Sequence, residues 1–139
     1  MPGREKYGNT FRIPGFRAAQ RNHYKLLENG KSDKFMEILA LGDVVGSIGC
    51  QFLRLHLPQL KKWKGIDLVI ANGENSADGN GITPVSAEHL FASGVDVITT
   101  GNHAFRRRES YDLFDKEETL LRPANFPKGA PGHGVCIVD

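Results

Sequence analysis

The sequence holds only two cysteines, Cys50 and Cys136, far apart and embedded in apolar stretches. They form neither a disulfide framework nor a CxxC metal pair, so a reducing compartment, the cytoplasm, is expected. No apolar run approaches the roughly 18 residues that cross a bilayer, and the polar N-terminus lacks the apolar stretch of a secretory signal. A membrane partner is therefore not expected. Nor does one sign of charge dominate: 18 Lys and Arg against 16 Asp and Glu leave a formal charge of +2. That is too small to argue for nucleic acid or an anionic surface. At 139 residues one modest domain is the natural expectation, and its partners must be sought in motifs.

Residues 1–35 stand apart, with Arg4, Lys6, Arg12, Arg17, Arg21, Lys25, Lys31 and Lys34 against Glu5, Glu28 and Asp33, and with no sustained apolar periodicity. They are expected to form a basic, disordered extension, and Met36 to open the domain, 36–139. A transit peptide would also be Arg-rich, but the three acidic residues and the two early glycines disfavour it. From Met36 the pattern is ordered. Ile38-Leu39-Ala40-Leu41, stopped by Gly42, reads as a first buried strand. Apolar residues from Phe52 to Trp63 follow at near-helical spacing, Pro58 should kink or divide that helix, and Gly65 ends it. Asp67–Ala71 is a second strand, and 72–81 a Gly- and Asn-rich loop. Thr83-Pro84 starts a helix with Ala87, Leu90 and Phe91 on its apolar face, closed by Gly94. Val95–Thr99 is a third strand, with a helix around Ser110–Phe114 beyond it. This rhythm predicts an α/β fold with a parallel βαβαβ sheet. Val135–Val138 reads as a last strand lacking a partner, so a larger fold cut short and a sheet with an unpaired edge are expected.

Three polar clusters follow the three strands: Gly42-Asp43, Asn72-Gly73-Glu74-Asn75 and Gly101-Asn102-His103. Ligands of open α/β sheets bind at the carboxyl ends of strands, so these clusters should converge on one crevice. Two carboxylates and two side-chain amides offer oxygen ligands, and the histidine offers a nitrogen ligand or a proton. Such a mixed set suits Mn²⁺, Fe or Zn²⁺ better than a calcium cage or a thiolate zinc site. Two such ions would clamp a phosphate and acidify water, and His103 would protonate the leaving oxygen.

The segments Met36–Gly46 (MEILALGDVVG), Ala71–Asn75 (ANGEN), Gly81–Thr83 (GIT), Gly94–His103 (GVDVITTGNH) and Leu120–Asn125 (LLRPAN) resemble the YmdB-like family of calcineurin-like metallophosphoesterases, from Met36 to the end. The resemblance implies a layered sandwich of which this chain is the N-terminal half. It implies that Asp43 and Asn75 bind one metal ion, that Glu74 bridges both, that Asn102 binds the second, and that His103 is the proton donor. It further implies iron or manganese and hydrolysis of phosphodiesters, typically 2′,3′-cyclic nucleotides. An RNA-derived phosphodiester belongs to the same substrate class, and a homo-oligomer is left open. The wider superfamily places a histidine two residues after the first Asp, where this chain has Val45; Asn75 takes that ligand's place. The family's three further histidine ligands lie beyond this sequence, and Gly132-His133-Gly134 comes too early to be one of them.

Two other functions compete. The glycine-spaced stretch Gly42–Gly49 could form a dinucleotide-binding turn, but it is not GxGxxG and Asp43 would oppose a pyrophosphate. Alternatively, the chain is a truncated, catalytically impaired fragment that acts by metal binding or association. Arg106-Arg107-Arg108 either attracts an anionic substrate or opens an exposed helix, and Arg122 either braces its loop or touches phosphate. His56 and His89 are expected at the surface or core edge, and His23 in solvent.

Overall fold

The fold is built on parallel strands whose carboxyl ends share one edge. The computed structural model describes residues 22–25 and 35–138. In chain order it has β1 (Asn22–Lys25), β2 (Phe35–Leu41), α1 (Gly46–Lys64), β3 (Leu68–Asn72), α2 (Pro84–Ala92), β4 (Val97–Thr99), a 3₁₀ turn (Arg108–Ser110), α3 (Tyr111–Lys116) and β5 (Leu120–Leu121). One sheet carries them in the order β1-β2-β3-β4-β5. The β2/β3, β3/β4 and β4/β5 pairs are parallel, and β1 is antiparallel to β2. The expected α/β class and βαβαβ rhythm are both present.

Register sorts the side chains into two rows. Leu39 pairs with Val69, and Leu41 aligns with Ala71, Ile98 and Leu120. These residues share the core with Cys50, Leu53 and Leu57 of α1, Ala87 and Leu90 of α2, and Phe114 of α3. Strands added in sequential order through right-handed crossovers place their helices on one face, which accounts for this single-sided core. The opposite row, Ile38 with Leu68 and Ala40 with Ile70 and Val97, lies outside that cluster, and Ala40 is exposed.

Several expectations require correction. Helix α1 starts at Gly46, well before the first residue of its apolar pattern, and runs unbroken through Pro58. Val45 supplies no side-chain cap; the Gly46 amide instead donates to the Asn75 carbonyl at 2.9 Å, a partner that local sequence does not show. Burial of Leu53 and Leu57 and packing of Leu60 hold the helix on both sides of Pro58, whereas Leu55 and Trp63 of the same apolar pattern are largely exposed. Gly65 does end α1, with φ 62°. Val135–Val138 forms no strand and is mostly exposed; the last ladder partner is instead β5, to which His133 adds an isolated bridge at Leu121. On the other side of the sheet, β2 is paired by β1. That strand falls within the segment expected to lack regular structure, and the rest of that expectation, for 1–21 and 26–34, lies outside the described residues, as does His23's side chain.

Helix α2 follows its sequence signals closely. Thr83 Oγ1 accepts from the Ser86 amide at 3.1 Å, and Ser86 Oγ accepts from the Thr83 amide at 3.0 Å, a reciprocal capping box with Pro84 at the first helical position. This cap fixes the far end of the loop that begins with Glu74 and Asn75.

Candidate functional site

Parallel strands deliver their carboxyl ends to one edge, and the polar clusters meet there as expected. Asp43 follows β2 in a left-handed conformation, φ 46°. Aspartate tolerates this region better than most residues, at a cost of about 1 kcal/mol or more. The turn aims its carboxylate at the loop after β3, where Asn75 Nδ2 donates to Asp43 Oδ1 at 2.7 Å.

Asn75 also meets the third cluster, because its Oδ1 lies 2.7 Å from His103 Nδ1. A carboxylate only accepts, so Asp43 fixes the orientation of the Asn75 amide and turns its oxygen toward the ring. The donor is then His103 Nδ1–H, leaving Nε2 as the unprotonated nitrogen of the neutral ring. With both nitrogens protonated the same bond persists and Nε2–H becomes a donor.

Glu74 is held by the backbone of the loop after β4. The His103 amide donates to Glu74 Oε2 at 2.9 Å, and Asn72 Nδ2 reaches Oε1 at 3.4 Å. The carboxylate lies over Gly101 so closely that a Cβ there would stand 2.6 Å from Oε1 and 2.7 Å from Oε2. Glycine at 101 is therefore a steric requirement of Glu74's position, not a turn requirement. The structure thus links Asp43, Asn75, His103 and Glu74 in one chain of hydrogen bonds. Asn102 sits beside them but is exposed, and no hydrogen bond joins its side chain to the other four among the described residues.

The donor set fits a hard cation on chemical grounds: carboxylate oxygens from Asp43 and Glu74, the latter seated over Gly101, and amide oxygens from Asn75 and Asn102. It amounts to part of a coordination shell. Among the described residues no three His, Cys, Asp or Glu side chains gather as a metal-holding group.

The arginines part ways. Arg106 and Arg108 are exposed, whereas Arg107 donates from Nε to the Asn80 carbonyl at 2.9 Å and from Nη2 to the Ala77 carbonyl at 3.4 Å. Arg122 braces its loop, donating from Nε to the Gly132 carbonyl at 3.2 Å and from Nη1 to the Pro123 carbonyl at 3.1 Å. His133 is exposed and bridges Leu121 of β5, the strand beside β4. His56 and His89 are exposed, as expected. The glycine turn at Gly46, which a dinucleotide would need, is tied to the Asn75 carbonyl. Three contributors escaped the sequence: Asn72 as a partner of Glu74, Gly101 as its seat, and Arg107 as a link between loops. The signals were only of place: Asn72 and Gly101 stand in the second and third clusters, and Arg107 in the arginine run.

An α/β sheet with carboxylates, amides and a histidine gathered at its strand ends is the beginning of a metallophosphoesterase fold. The chain belongs to the YmdB-like family, whose model, described as "YmdB-like protein", matches residues 39–139. A 2′,3′-cyclic-nucleotide 2′-phosphodiesterase of Bacillus subtilis is 45% identical over 103 residues, 74% of this chain and 39% of that protein. Among solved structures, a phosphatase from Mycoplasma pneumoniae matches with a TM-score of 0.66 at 34% identity, over 71% of this chain and 37% of that one. A protein from Thermus thermophilus, described as hypothetical, matches with a TM-score of 0.65 at 43% identity, covering 70% and 37% respectively. The chain therefore spans well under half the length of these relatives. No helix among the described residues is long and apolar enough to cross a membrane.

Proposed function

We propose that this chain carries the strand-end half of a metal-dependent phosphodiesterase site, acting on small phosphodiesters of the 2′,3′-cyclic nucleotide kind, including those released from RNA. The observation that carries this is the hydrogen-bonded set Asp43–Asn75–His103–Glu74, assembled from three strand ends. The Bacillus relative's name supports the substrate class, and the Mycoplasma structure's title supports phosphate-ester chemistry. Asp43, Glu74, Asn75 and Asn102 would hold the metal, iron or manganese by their oxygen donors. Such ions, when bound, draw charge from phosphoryl oxygens and lower the pKa of water.

The chain's own residues do the rest. Asp43 and Asn75 orient the imidazole of His103 so that Nε2 is presented, and in the charged ring Nε2–H donates a proton to the departing oxygen. The His103 amide holds Glu74's carboxylate in place over Gly101. The test is hydrolysis of bis-p-nitrophenyl phosphate and 2′,3′-cyclic AMP with added Mn²⁺, together with the Glu74→Gln and His103→Ala variants. Turnover lost in both variants supports the assignment, and turnover unaffected by either overturns it. Mn²⁺ binding without turnover would instead favour the fragment reading, which the partial ligand set makes specific.

A further inference from the structure

The loop that carries Glu74 and Asn75 and the loop that carries His103 touch at two places. One is the site itself. The other lies several residues away, where the Arg107 guanidinium reaches across to the 75–81 turn.

That turn is internally bonded: the Gly79 amide donates to the Asn75 carbonyl at 3.0 Å, the Asn80 amide to the Ala77 carbonyl at 2.9 Å, and the Ala77 amide to the Gly81 carbonyl at 3.0 Å. It therefore moves as one piece with Asn75. Arg107 binds two of its carbonyls, Asn80 and Ala77, and its stem lies against Gly81. A Cβ on Gly81 would stand 2.8 Å from Arg107 Cγ and 3.1 Å from Arg106 Cβ, and Gly81 also has φ 91°. A planar guanidinium can hold two carbonyls in fixed geometry, which a lysine ammonium cannot do. The link has direct leverage on the site, because the His103 Nδ1 to Asn75 Oδ1 bond of 2.7 Å needs the two loops in register.

We propose, resting on the phosphodiesterase reading above, that Arg107 is a positioning residue: it clamps the 75–81 turn to the loop after β4 and thereby holds His103 in the Nδ1–H form with Nε2 presented. Its role is geometric, so charge alone does not replace it. Arg106 and Arg108 are exposed and do not share it.

The test uses the 139-residue chain with ¹⁵N-labelled histidine. Long-range ¹H–¹⁵N spectra at a pH where the ring is neutral report the tautomer of His103, a readout independent of metal and turnover. The wild type is expected to show the Nδ1–H form. Arg107→Ala should lose it to a mixture dominated by Nε2–H, Arg107→Lys should fail to restore it, and Arg106→Ala and Arg108→Ala should keep it. Should Arg107→Ala not fold, Arg107→Met, which keeps the stem against Gly81 and removes only the guanidinium, must show the same loss. Retention of the Nδ1–H form in Arg107→Ala or Arg107→Met, full restoration by lysine, or equal loss in the Arg106 or Arg108 variants would overturn the clamp. Failure of the two readings is separable. A wild type that hydrolyses no phosphodiester but loses the tautomer in Arg107→Ala refutes the function and keeps the clamp; a hydrolytic wild type whose tautomer ignores Arg107 does the reverse.

Discussion

The most direct challenge to the site is a single methyl group. In Gly101→Ala the new Cβ would lie 2.6 Å from Glu74 Oε1, against the 3.4 Å at which ordinary contact begins, so the carboxylate must withdraw by about 0.8 Å. A shift of that size moves the carboxylate off its seat and weakens the 2.9 Å bond that the His103 amide donates to it. Hydrogen bonds to charged groups contribute about 1.5–3 kcal/mol, and Glu74 is half-buried, so the lower end applies. The atoms in the way are the tip of a flexible side chain, so overpacking strain adds little and the weakened bond sets the cost. The expected loss is about 1–3 kcal/mol, which at a urea m-value of about 1–3 kcal/mol/M moves the unfolding midpoint down by roughly 1 M. Circular dichroism in urea measures it. Gly129→Ala is the control, since nothing lies within 4 Å of its Cβ. The cycle with Glu74→Ala is decisive, because without the carboxylate Gly101→Ala should become nearly neutral. A Gly101→Ala chain that unfolds like the wild type, or one whose loss is unchanged in the Glu74→Ala background, would refute the seat of Glu74 and the site built on it.

Other expectations follow from the packing. Ser86→Ala should cost more than Thr83→Ala, about 1–3 against about 1 kcal/mol, because it breaks the cap and strips buried Ser76 Oγ of its 2.8 Å partner; urea titration compares the two. Asp96 accepts from Lys61 Nζ at 2.8 Å and from the Val69 amide at 2.7 Å. Asp96→Ala should therefore destabilise by about 1–2 kcal/mol, and Asp96→Asn by less, since a partly exposed ion pair adds little beyond the retained acceptor. Burial pushes the Cys50 thiol above its ordinary value. The folded state thus holds its proton longer than the unfolded state, and stability should fall as pH rises above about 8.5, the unfolded value, toward the folded one. In that window Cys136, which is partly exposed, should react with a disulfide reagent while Cys50 waits for unfolding. Equal rates at the two thiols would contradict this.

What the sequence disclosed, and what it hid, divides along a physical line. Strand periodicity, the Thr83-Pro84 helix start and the Gly65 stop are local; the helix signals fall where their pattern places them, and the three strands within three residues of theirs. Convergence of Asp43, Glu74, Asn75 and His103 was legible for a different reason: in a parallel sheet every strand end points to the same edge, so the class of structure alone gathers them. The start of α1 was hidden because its first amide is satisfied by Asn75, a residue from the next strand's loop. Val135–Val138 misled because an apolar run encodes burial only if a partner strand is at hand. The three consecutive arginines show the limit most sharply. They are identical in type and adjacent in sequence, yet only Arg107 bonds across 27 residues to Asn80. The bonds that set the chemistry span similar gaps, 32 residues from Asn75 to Asp43 and 28 from His103 to Asn75. Pattern therefore reveals which loops meet. Which donor finds which acceptor is decided by loop register, and a left-handed Asp43, a bare Gly101 and a clamped 75–81 turn are the features that set it.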